Sequence, residues 1–150
     1  MAVLRDRPYP GANFLVDLGT GVTDTVEAGL TEVIFPDARV QVAEYRNGND
    51  KENAPRKVTT ETEYSNLILR RATHGSLTWY LWWNDIRNGN QAGYRTVTVE
   101  LQNEDRTQTV LTWKFFRARP VNLRFAPLVG HDNAVVIETI ELAFERLEMA

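Results

Sequence analysis

Within the stretch YRTVTVELQ, residues 94–102, apolar and polar side chains alternate from Thr96 to Gln102. One side of the extended chain carries Val97, Val99 and Leu101, and the other side carries Thr96, Thr98, Glu100 and Gln102. A period of two with one polar side is typical of a half-buried antiparallel strand. The stretch therefore predicts a sheet with one face against a core and the other face in water.

Strand signals also dominate the rest of the chain, in ANFLVDLG, LTEVIF, ARVQVAEY, YSNLILRRA and TQTVLTWKFFRAR, with turn residues between them. In the last of these stretches Leu111, Trp113 and Phe115 share a face. We expect this face to pack in the core against the apolar side of residues 94–102. The fold class predicted from these patterns is mainly β.

One segment, SLTWYLWWNDIRNG, has helical spacing instead. Leu77 and Leu81 are four residues apart, and Trp79, Trp82, Trp83 and Ile86 recur at intervals of three and four. Ser76 suits the N-cap, Arg87 the last turn and Gly89 the C-terminal stop. The segment predicts one apolar helix that must be covered by a sheet or by a neighbour.

The C-terminal stretch AVVIETIELAFERLEM supports two interpretations. Ile140, Leu142 and Phe144 alternate as in a strand, whereas Ile137, Ile140, Phe144 and Leu147 also form a helical stripe. The pattern alone leaves both open.

Composition limits the possible functions. A chain of 150 residues with 43% hydrophobic content predicts a single domain, residues 1–150, with a core of its own. The net charge of −3, with both signs interspersed, argues against a nucleic-acid-binding protein. Without cysteine there is no disulfide and no thiol nucleophile. No stretch has the length of a membrane span or a signal peptide, so we expect a soluble chain made in the cytoplasm.

Catalytic, cofactor and metal sites are not predicted. His74, Ser76 and Asp85 are near one another in sequence, and His131 lies apart, but proximity in sequence does not make a triad. The chain has neither a phosphate-binding loop nor a metal-ligand motif. Four glutamates, Glu138, Glu141, Glu145 and Glu148, are interpreted as a solvated or interface edge. An alternative function is a β-sandwich module that binds a ligand or glycan on a cluster of Trp79, Trp82 and Trp83; a small hydrolase is the weakest hypothesis.

A polar stretch at residues 46–61 is far longer than the two to five residues of an ordinary hairpin loop. It carries three charges of each sign from Asn47 onward. Long polar connections in compact domains are often functional, and balanced charges favour contact with an identical copy. We therefore predict a long polar loop that binds another subunit, through Arg46, Asn47, Gly48, Asn49, Asp50, Lys51, Glu52, Asn53, Pro55, Arg56, Lys57 and Glu61.

Several segments in a fixed order carry a family resemblance: PYPGANFLVDL, VAEYRNGND followed by PRK, YSNLILRRATHGSLTWYLWWNDIRNG, WKFFRARPVNLRFAPL and VVIETIELAFERLEM. The chain resembles the tail tube protein family of contractile-tailed phages and extracellular contractile injection systems, from about Pro8 to Glu148. The resemblance implies two packed antiparallel sheets with one helix, a barrel-like subunit of which six close a ring with a continuous inner barrel. It also implies that the last segment is a strand.

The resemblance further implies a structural function, as the inner tube of a contractile injection machine. Rings would stack into a hollow conduit for DNA or effector proteins, with residues 46–61 contacting the next ring. The implied partners are identical copies, a sheath protein, baseplate or tube-initiating and tube-terminating proteins, and cargo; no cofactor and no membrane anchor are implied. The particle, a phage tail or an extracellular injection device, would be assembled in the bacterial cytoplasm. In the tube, Thr96, Thr98, Glu100 and Gln102 are the predicted lumen face.

One departure from the family pattern concerns Thr31-Glu32-Val33. Relatives usually carry a Gly-Leu pair soon after this position, but here Ile34 and Phe35 follow. Both a main tube subunit and a tube-initiating paralogue are therefore considered.

Overall fold

The structure, a computed structural model, describes residues 1–21, 23, 28–131 and 134–150. In these ranges it has nine strands and one α-helix. The strands are β1 (Phe14–Asp17), β2 (Glu32–Ile34), β3 (Ala38–Tyr45), β4 (Arg56–Tyr64), β5 (Leu67–Ala72), β6 (Arg95–Gln102), β7 (Thr109–Phe125), β8 (Ile137–Ala143) and β9 (Arg146–Met149). Helix α1 (Thr78–Arg87) and a 3-10 turn (Gln91–Gly93) lie between β5 and β6. Every pair of neighbouring strands is antiparallel, which confirms the predicted fold class.

The 17-residue strand β7 joins two layers of sheet. Its first part pairs with β6 on one side and β9 on the other, and β1 lies beyond β6; we call these strands the first layer. Its last part pairs with β8, followed by β5 and β2, and these strands form the second layer. Between the two parts Arg117 has a left-handed φ of 53°, an uncommon conformation for a residue with a Cβ. The strand changes layer at this bend.

The core lies between the inner faces of the two layers and under α1. Its buried members are Val16, Val97, Val99 and Phe115 from the first layer, Leu67, Leu69, Ile140 and Leu142 from the second, and Trp79, Trp82, Ala118 and Phe144. The predicted core positions Val97, Val99 and Phe115 are thus confirmed. Trp113 packs against this core but is only half-buried, because it lies at an open cleft where its ring meets Phe35 at 4.6 Å.

The outer end of the first layer differs from the prediction. Leu101 and Leu111 are half-buried, while Val110 is buried to 2% exposure. The register of β6 and β7 shifts next to this pair, and the carbonyl of Val110 accepts a hydrogen bond of 2.9 Å from the backbone N–H of Val3. The register shift and the N-terminal segment therefore change which side chains are covered here.

Helix α1 is shorter than the sequence predicts. The N-cap is Leu77 and not Ser76, although the Ser76 hydroxyl accepts a 3.3 Å hydrogen bond from the backbone N–H of Thr78. Gly89, with φ of 81°, ends the helix: its N–H donates to the carbonyl of Ile86, and the next N–H donates to the carbonyl of Asp85. These two bonds define a Schellman motif.

The apolar faces of the helix are divided between core and surface. Trp79 and Trp82 are both 1% exposed, and their side chains pack the helix against the sheets. Leu77 and Leu81, which share the predicted apolar spacing, are 63% and 52% exposed. The spacing predicted the helix correctly, but not which of its apolar residues are covered.

The C-terminal segment is a strand, as the resemblance implies. Ile140 and Leu142 of β8, and Phe144 just after it, alternate into the core, so the helical interpretation is wrong. Residues 144–145 then interrupt the pairing, and β9 crosses to the first layer to pair with β7.

Candidate assembly surfaces

The long polar stretch is a loop only in its first part. Residues 46–55 connect two strands, but Arg56 to Glu61 belong to β4, which runs to Tyr64 beside β3. The predicted loop of residues 46–61 is therefore wrong in its second half. The chain here forms a long β-hairpin with a polar tip, and we call residues 38–64 the arm.

The arm extends the second layer beyond the body of the subunit. Asp37 and Ser65 connect the β2–β5 pair to the β3–β4 pair. The Asp37 N–H donates to the Ser65 hydroxyl at 2.7 Å, and the Ser65 N–H donates to the Asp37 carbonyl at 3.1 Å. On one side of this junction β2 pairs with β5, and on the other side β3 pairs with β4. Every residue of β3 and residues 56–62 of β4 are exposed. The arm thus has almost no packing against its own subunit.

Some charged side chains at the tip of the arm form hydrogen bonds and an ion pair with other residues of the same tip. Arg46 donates to the carbonyl oxygens of Asp50 and Glu52, at 2.8 and 2.9 Å. The Asp50 carboxylate accepts from the Asn47 N–H at 3.1 Å and pairs with Arg56 at 2.9 Å. The sequence predicts contacts of Asp50 and Arg56 with charges of another copy, but in the single subunit these two side chains pair with each other.

The remaining predicted tip residues stay at the surface. Asp50 is half-buried, whereas the other residues are exposed: Asn47, Gly48, Asn49, Lys51, Glu52, Asn53, Pro55, Lys57 and Glu61. These positions are the part of the tip that another molecule can reach.

The predicted lumen face lies on the outer side of β6. Thr96 is exposed, and Thr98, Glu100 and Gln102 are half-buried, in alternation with the buried Val97 and Val99. The structure therefore confirms that this side of β6 faces away from the core. It is one outer face of the two-layered subunit.

A second polar outer face was not singled out from the sequence. Glu32, Arg70, Thr139 and Arg124 stand in one row across β2, β5, β8 and β7 of the second layer. Arg70 pairs with Glu32 at 3.0 Å, and the next row is tied by hydrogen bonds from Asn66 and Asn122 to Glu141. The row forms only when four strands are aligned, so no single stretch of sequence displays it.

The tryptophan cluster does not form an open platform. Trp79 and Trp82 are buried, and the indole of Trp82 donates to the carbonyl of Gly93. Trp83 is half-buried, with the Arg87 guanidinium over its ring at 4.6 Å. The aromatic side chains that a ligand-binding module would use are therefore mostly part of the core.

The residues considered for catalysis lie at the start of α1, on α1 itself, or in exposed connections. Ser76 lies 3.0 Å from the Thr78 hydroxyl at the start of α1, Asp85 is exposed on that helix, and His74 and His131 are exposed in connections. Throughout residues 1–21, 23, 28–131 and 134–150, no three His, Cys, Asp or Glu residues are grouped as metal ligands. In the same ranges no helix is long and apolar enough to cross a membrane.

One charged pair is inside the core. Arg71 of β5 faces Glu138 of β8, and the guanidinium donates to the carboxylate. Arg71 is 1% exposed and Glu138 5% exposed. Of the four glutamates predicted to form an edge, Glu138 is therefore buried, because its side chain points to the inner face of β8.

The family model of T4-like virus tail tube protein gp19 matches residues 10–148, nearly the whole chain. The chain belongs to this tail tube family. Its members are structural proteins and not enzymes, which confirms the family and the structural tube-subunit role predicted from the sequence. The alternatives, a glycan-binding module and a hydrolase, are not supported.

Solved structures show the same fold. A chain in the sheath–tube complex of the PVC extracellular contractile injection system is 24% identical, with 95% of this chain and 91% of that chain covered and a TM-score of 0.81. A chain in the tube-terminating cap of the anti-feeding prophage is 22% identical, with 100% and 95% covered and a TM-score of 0.83. Hcp1 from Flavobacterium johnsoniae is 14% identical, with 91% and 94% covered and a TM-score of 0.54. No curated protein sequence matches the chain.

Proposed function

We propose that six copies of this tail tube subunit close a ring and that rings stack through the arm into a hollow conduit for DNA or effector proteins. The single observation that carries the proposal is the arm, an exposed two-stranded ladder that leaves the body of the subunit. An isolated two-stranded hairpin is marginally stable in water. The arm therefore gains its stability by packing on another molecule.

Ring closure has a physical basis in the free strand edges. The last part of β7 pairs with β8 on one side, and β2 pairs with β5 on one side, so among the residues that the structure describes the second layer ends in two free edges. Free edges promote aggregation unless they are covered or paired. Pairing one edge with the opposite edge of the next copy is a heterologous contact, which gives a finite ring when the rotation closes.

The partners follow from the particles that contain similar chains. These are a sheath–tube complex, a baseplate analysed with 6-fold symmetry, and a tube-terminating cap. We propose for this chain a surrounding sheath, a baseplate or tube-initiating protein, and a terminating protein, with cargo in the lumen. Chains with this fold occur both in the sheath–tube complex and in the baseplate structure, so a main tube subunit and a tube-initiating paralogue both fit it.

The stacking role of the tip is tested by shortening it. Replacing residues 49–56 by a short Gly-Ser link should leave folded subunits, and single rings, but no tubes in negative-stain micrographs. The matched control replaces Lys51 and Glu52 by serine at full tip length, which retains the Asp50–Arg56 pair. Tubes of normal length from the shortened variant would contradict the stacking role.

For the channel wall we propose the face predicted from the sequence: Thr96, Thr98, Glu100 and Gln102. Cysteine at Thr98 should then react slowly with a bulky maleimide in assembled tubes and rapidly in free subunits. Cysteine at Asn122, on the outer face of the second layer, is the matched probe. Slow reaction at Asn122 with fast reaction at Thr98 would place the second layer, and not β6, around the channel.

A further inference from the structure

The two free edges of the second layer run in opposite directions. Its four strands follow one another in the order β7, β8, β5 and β2, and each is antiparallel to the next. Because the number of strands is even, the last part of β7 is antiparallel to β2. A copy placed alongside in the same orientation therefore presents its β7 antiparallel to β2 of the first copy. The two edges can pair as neighbours in one antiparallel sheet.

The β7 edge carries an uncovered aromatic side chain on the inner face of the layer. Phe125 pairs directly with Glu138, whose side chain is buried in the core, so the Phe125 side chain points to the same inner side. It is nevertheless 58% exposed. Two residues earlier, Leu123 pairs with the buried Ile140 and is itself half-buried. The inner side of this edge thus ends in apolar surface that the subunit does not cover.

The β2 edge lies beside an apolar cleft. Val33 pairs with the buried Leu69 and therefore points inward, towards the first layer. A cleft of about 290 Å³ lies here, with Thr31 and Glu32 as its polar members. An apolar cavity of about 150 Å³ holds a benzene molecule, so this cleft has room for a phenyl ring. Its apolar lining comes from Phe14, Val99, Leu101 and Trp113 of the first layer, and from Val33 and Phe35.

We propose that Phe125 of one copy fills the cleft beside β2 of the next copy around the ring. The inference rests on the ring closure proposed above and names the contact that makes this closure specific. A strand that pairs with the free side of β2 continues the second layer, so its inward side chains lie over the cleft. The aromatic side chain and the cleft lie at opposite edges of one layer, which makes the contact heterologous, as a ring requires.

The register of the layer limits which residues meet. Val33, Leu69, Ile140 and Leu123 form one row across the four strands. Joining two copies without stagger would set Leu123 of one copy beside Val33 of the next. A closed barrel requires a stagger, and only an even number of residues keeps inward side chains on the same face. A stagger of two residues sets Phe125 beside Val33, and without stagger Phe125 is its diagonal neighbour.

Charges on the outer face fit the same junction. Arg124 is exposed and forms no ion pair with any residue that the structure describes. Its row across the layer ends at β2 in the exposed Glu32, which also pairs with Arg70. At the junction Glu32 of one copy lies beside Arg124 of the next, directly or diagonally, and long side chains reach each other in both cases. Pairing two identical β7 edges would instead bring Arg124 close to its own copy, so the charges favour the heterologous contact.

The first test compares two exposed apolar side chains. Phe125→Ala should raise the subunit concentration at which half of the chains are in rings at least about tenfold, because each junction loses a buried phenyl ring. Leu77→Ala is the matched control, since Leu77 is 63% exposed on α1 and lies on neither edge; it should assemble as wild type does. Sedimentation velocity measures rings and subunits. Both variants should keep the urea midpoint of the single subunit, because both side chains are exposed.

A second pair of substitutions moves the aromatic side chain to the other side of the contact. Val33→Phe should fill the cleft from within its own subunit and impair ring closure, because the incoming Phe125 then has no room. Val33→Phe combined with Phe125→Ala should recover rings. Impaired closure in the double variant equal to that of Phe125→Ala alone would contradict the filling of this cleft.

Cysteine pairs test the contact directly in a chain that has no cysteine of its own. Val33→Cys combined with either Leu123→Cys or Phe125→Cys should give covalent oligomers up to the size of the ring after mild oxidation. The Leu123 pair reacts if the copies join without stagger, and the Phe125 pair reacts if they join with a stagger of two. Val33→Cys with Asn122→Cys, on the outer face of β7, should give none.

The outcomes separate this contact from the ring itself. Phe125→Ala rings as stable as those of wild type, or the absence of covalent oligomers from both cysteine pairs in assembled rings, would overturn the contact and leave ring closure intact. Failure of the wild-type chain to form rings or tubes would instead contradict the proposed function.

Discussion

The buried pair Arg71–Glu138 allows a sharp test of how β5 and β8 of the second layer are held to each other and to helix α1. Besides the carboxylate, the Arg71 guanidinium lies 3.4 Å from the Thr78 hydroxyl and 4.2 Å above the Trp79 ring. The pair therefore joins both strands to the start of α1. The perturbation is Glu138→Gln, which retains the shape of the side chain and removes its charge.

The expected cost follows from the burial of both partners. Removing one partner of a buried ion pair leaves an uncompensated charge and costs about 3–5 kcal/mol. A domain of this size has a total stability of roughly 5–15 kcal/mol, so the loss is a large share. With a urea dependence of about 2 kcal/mol per molar, a loss of about 4 kcal/mol lowers the unfolding midpoint by about 2 M.

The assay is urea unfolding of subunits kept below the concentration at which they assemble, followed by tryptophan fluorescence. Glu141→Gln is the matched control, because Glu141 is on the same strand but on its outer face, half-buried, and bonded to two asparagine side chains. We expect the control to lose less than about 1 kcal/mol. Arg71→Leu combined with Glu138→Leu should recover part of the lost stability, since an apolar pair needs no charge compensation. Equal midpoints for Glu138→Gln and Glu141→Gln would refute the reasoning.

Three further predictions concern stability. In the same urea assay, Trp82→Ala should lower the free energy of unfolding by about 3–5 kcal/mol, and Trp113→Ala should lower it less because Trp113 is half-buried. A larger loss for Trp113→Ala would contradict the packing described above. Arg117→Gly should be more stable than Arg117→Ala by about 0.5–1 kcal/mol, because glycine adopts the left-handed φ at little cost; equal stabilities would argue against strain at the bend. Hydrogen bonds from Arg5 lower the pKa of Glu104 from 4.5 to about 2, so the pair stabilises the fold above pH 4.5 and loses this effect as the pH falls towards 2. Because Glu104 is exposed, the effect should be small and reduced by salt; unchanged acid unfolding curves in Glu104→Gln at low salt would contradict it.

The periodicity of the sequence predicted the strands and the helix well because these elements bury one regular face. Val97, Val99 and Phe115 are buried as their alternation indicates, and Trp79 and Trp82 are buried at helical spacing. At the C-terminus the pattern of residues was equally compatible with two periods, so local spacing could not decide. The pairing of β8 with two neighbouring strands decides it, and this pairing is a tertiary interaction.

The polar stretch shows where local patterns are insufficient. Residues 56–61 are mostly polar, and such a composition is typical of loops. They form a strand because β3 supplies backbone partners, and because a strand in an exposed arm needs no apolar side facing its own core. Likewise, the row from Glu32 to Arg124 depends on the register of four strands, which a single sequence does not specify.

The length of the connection after Tyr45 has an explanation in the geometry of the arm. Two strands that must turn require two to five residues between them, so a tip of residues 46–55 is longer than a turn needs. Ordering these residues and the exposed ladder costs conformational entropy that the subunit alone offsets poorly, since the arm buries almost nothing of its own. In the proposed tube, contact with a second copy would offset this cost by covering part of the exposed ladder. Stacking through the arm would then be cooperative, because each arm would be stabilised only when the next subunit is in place.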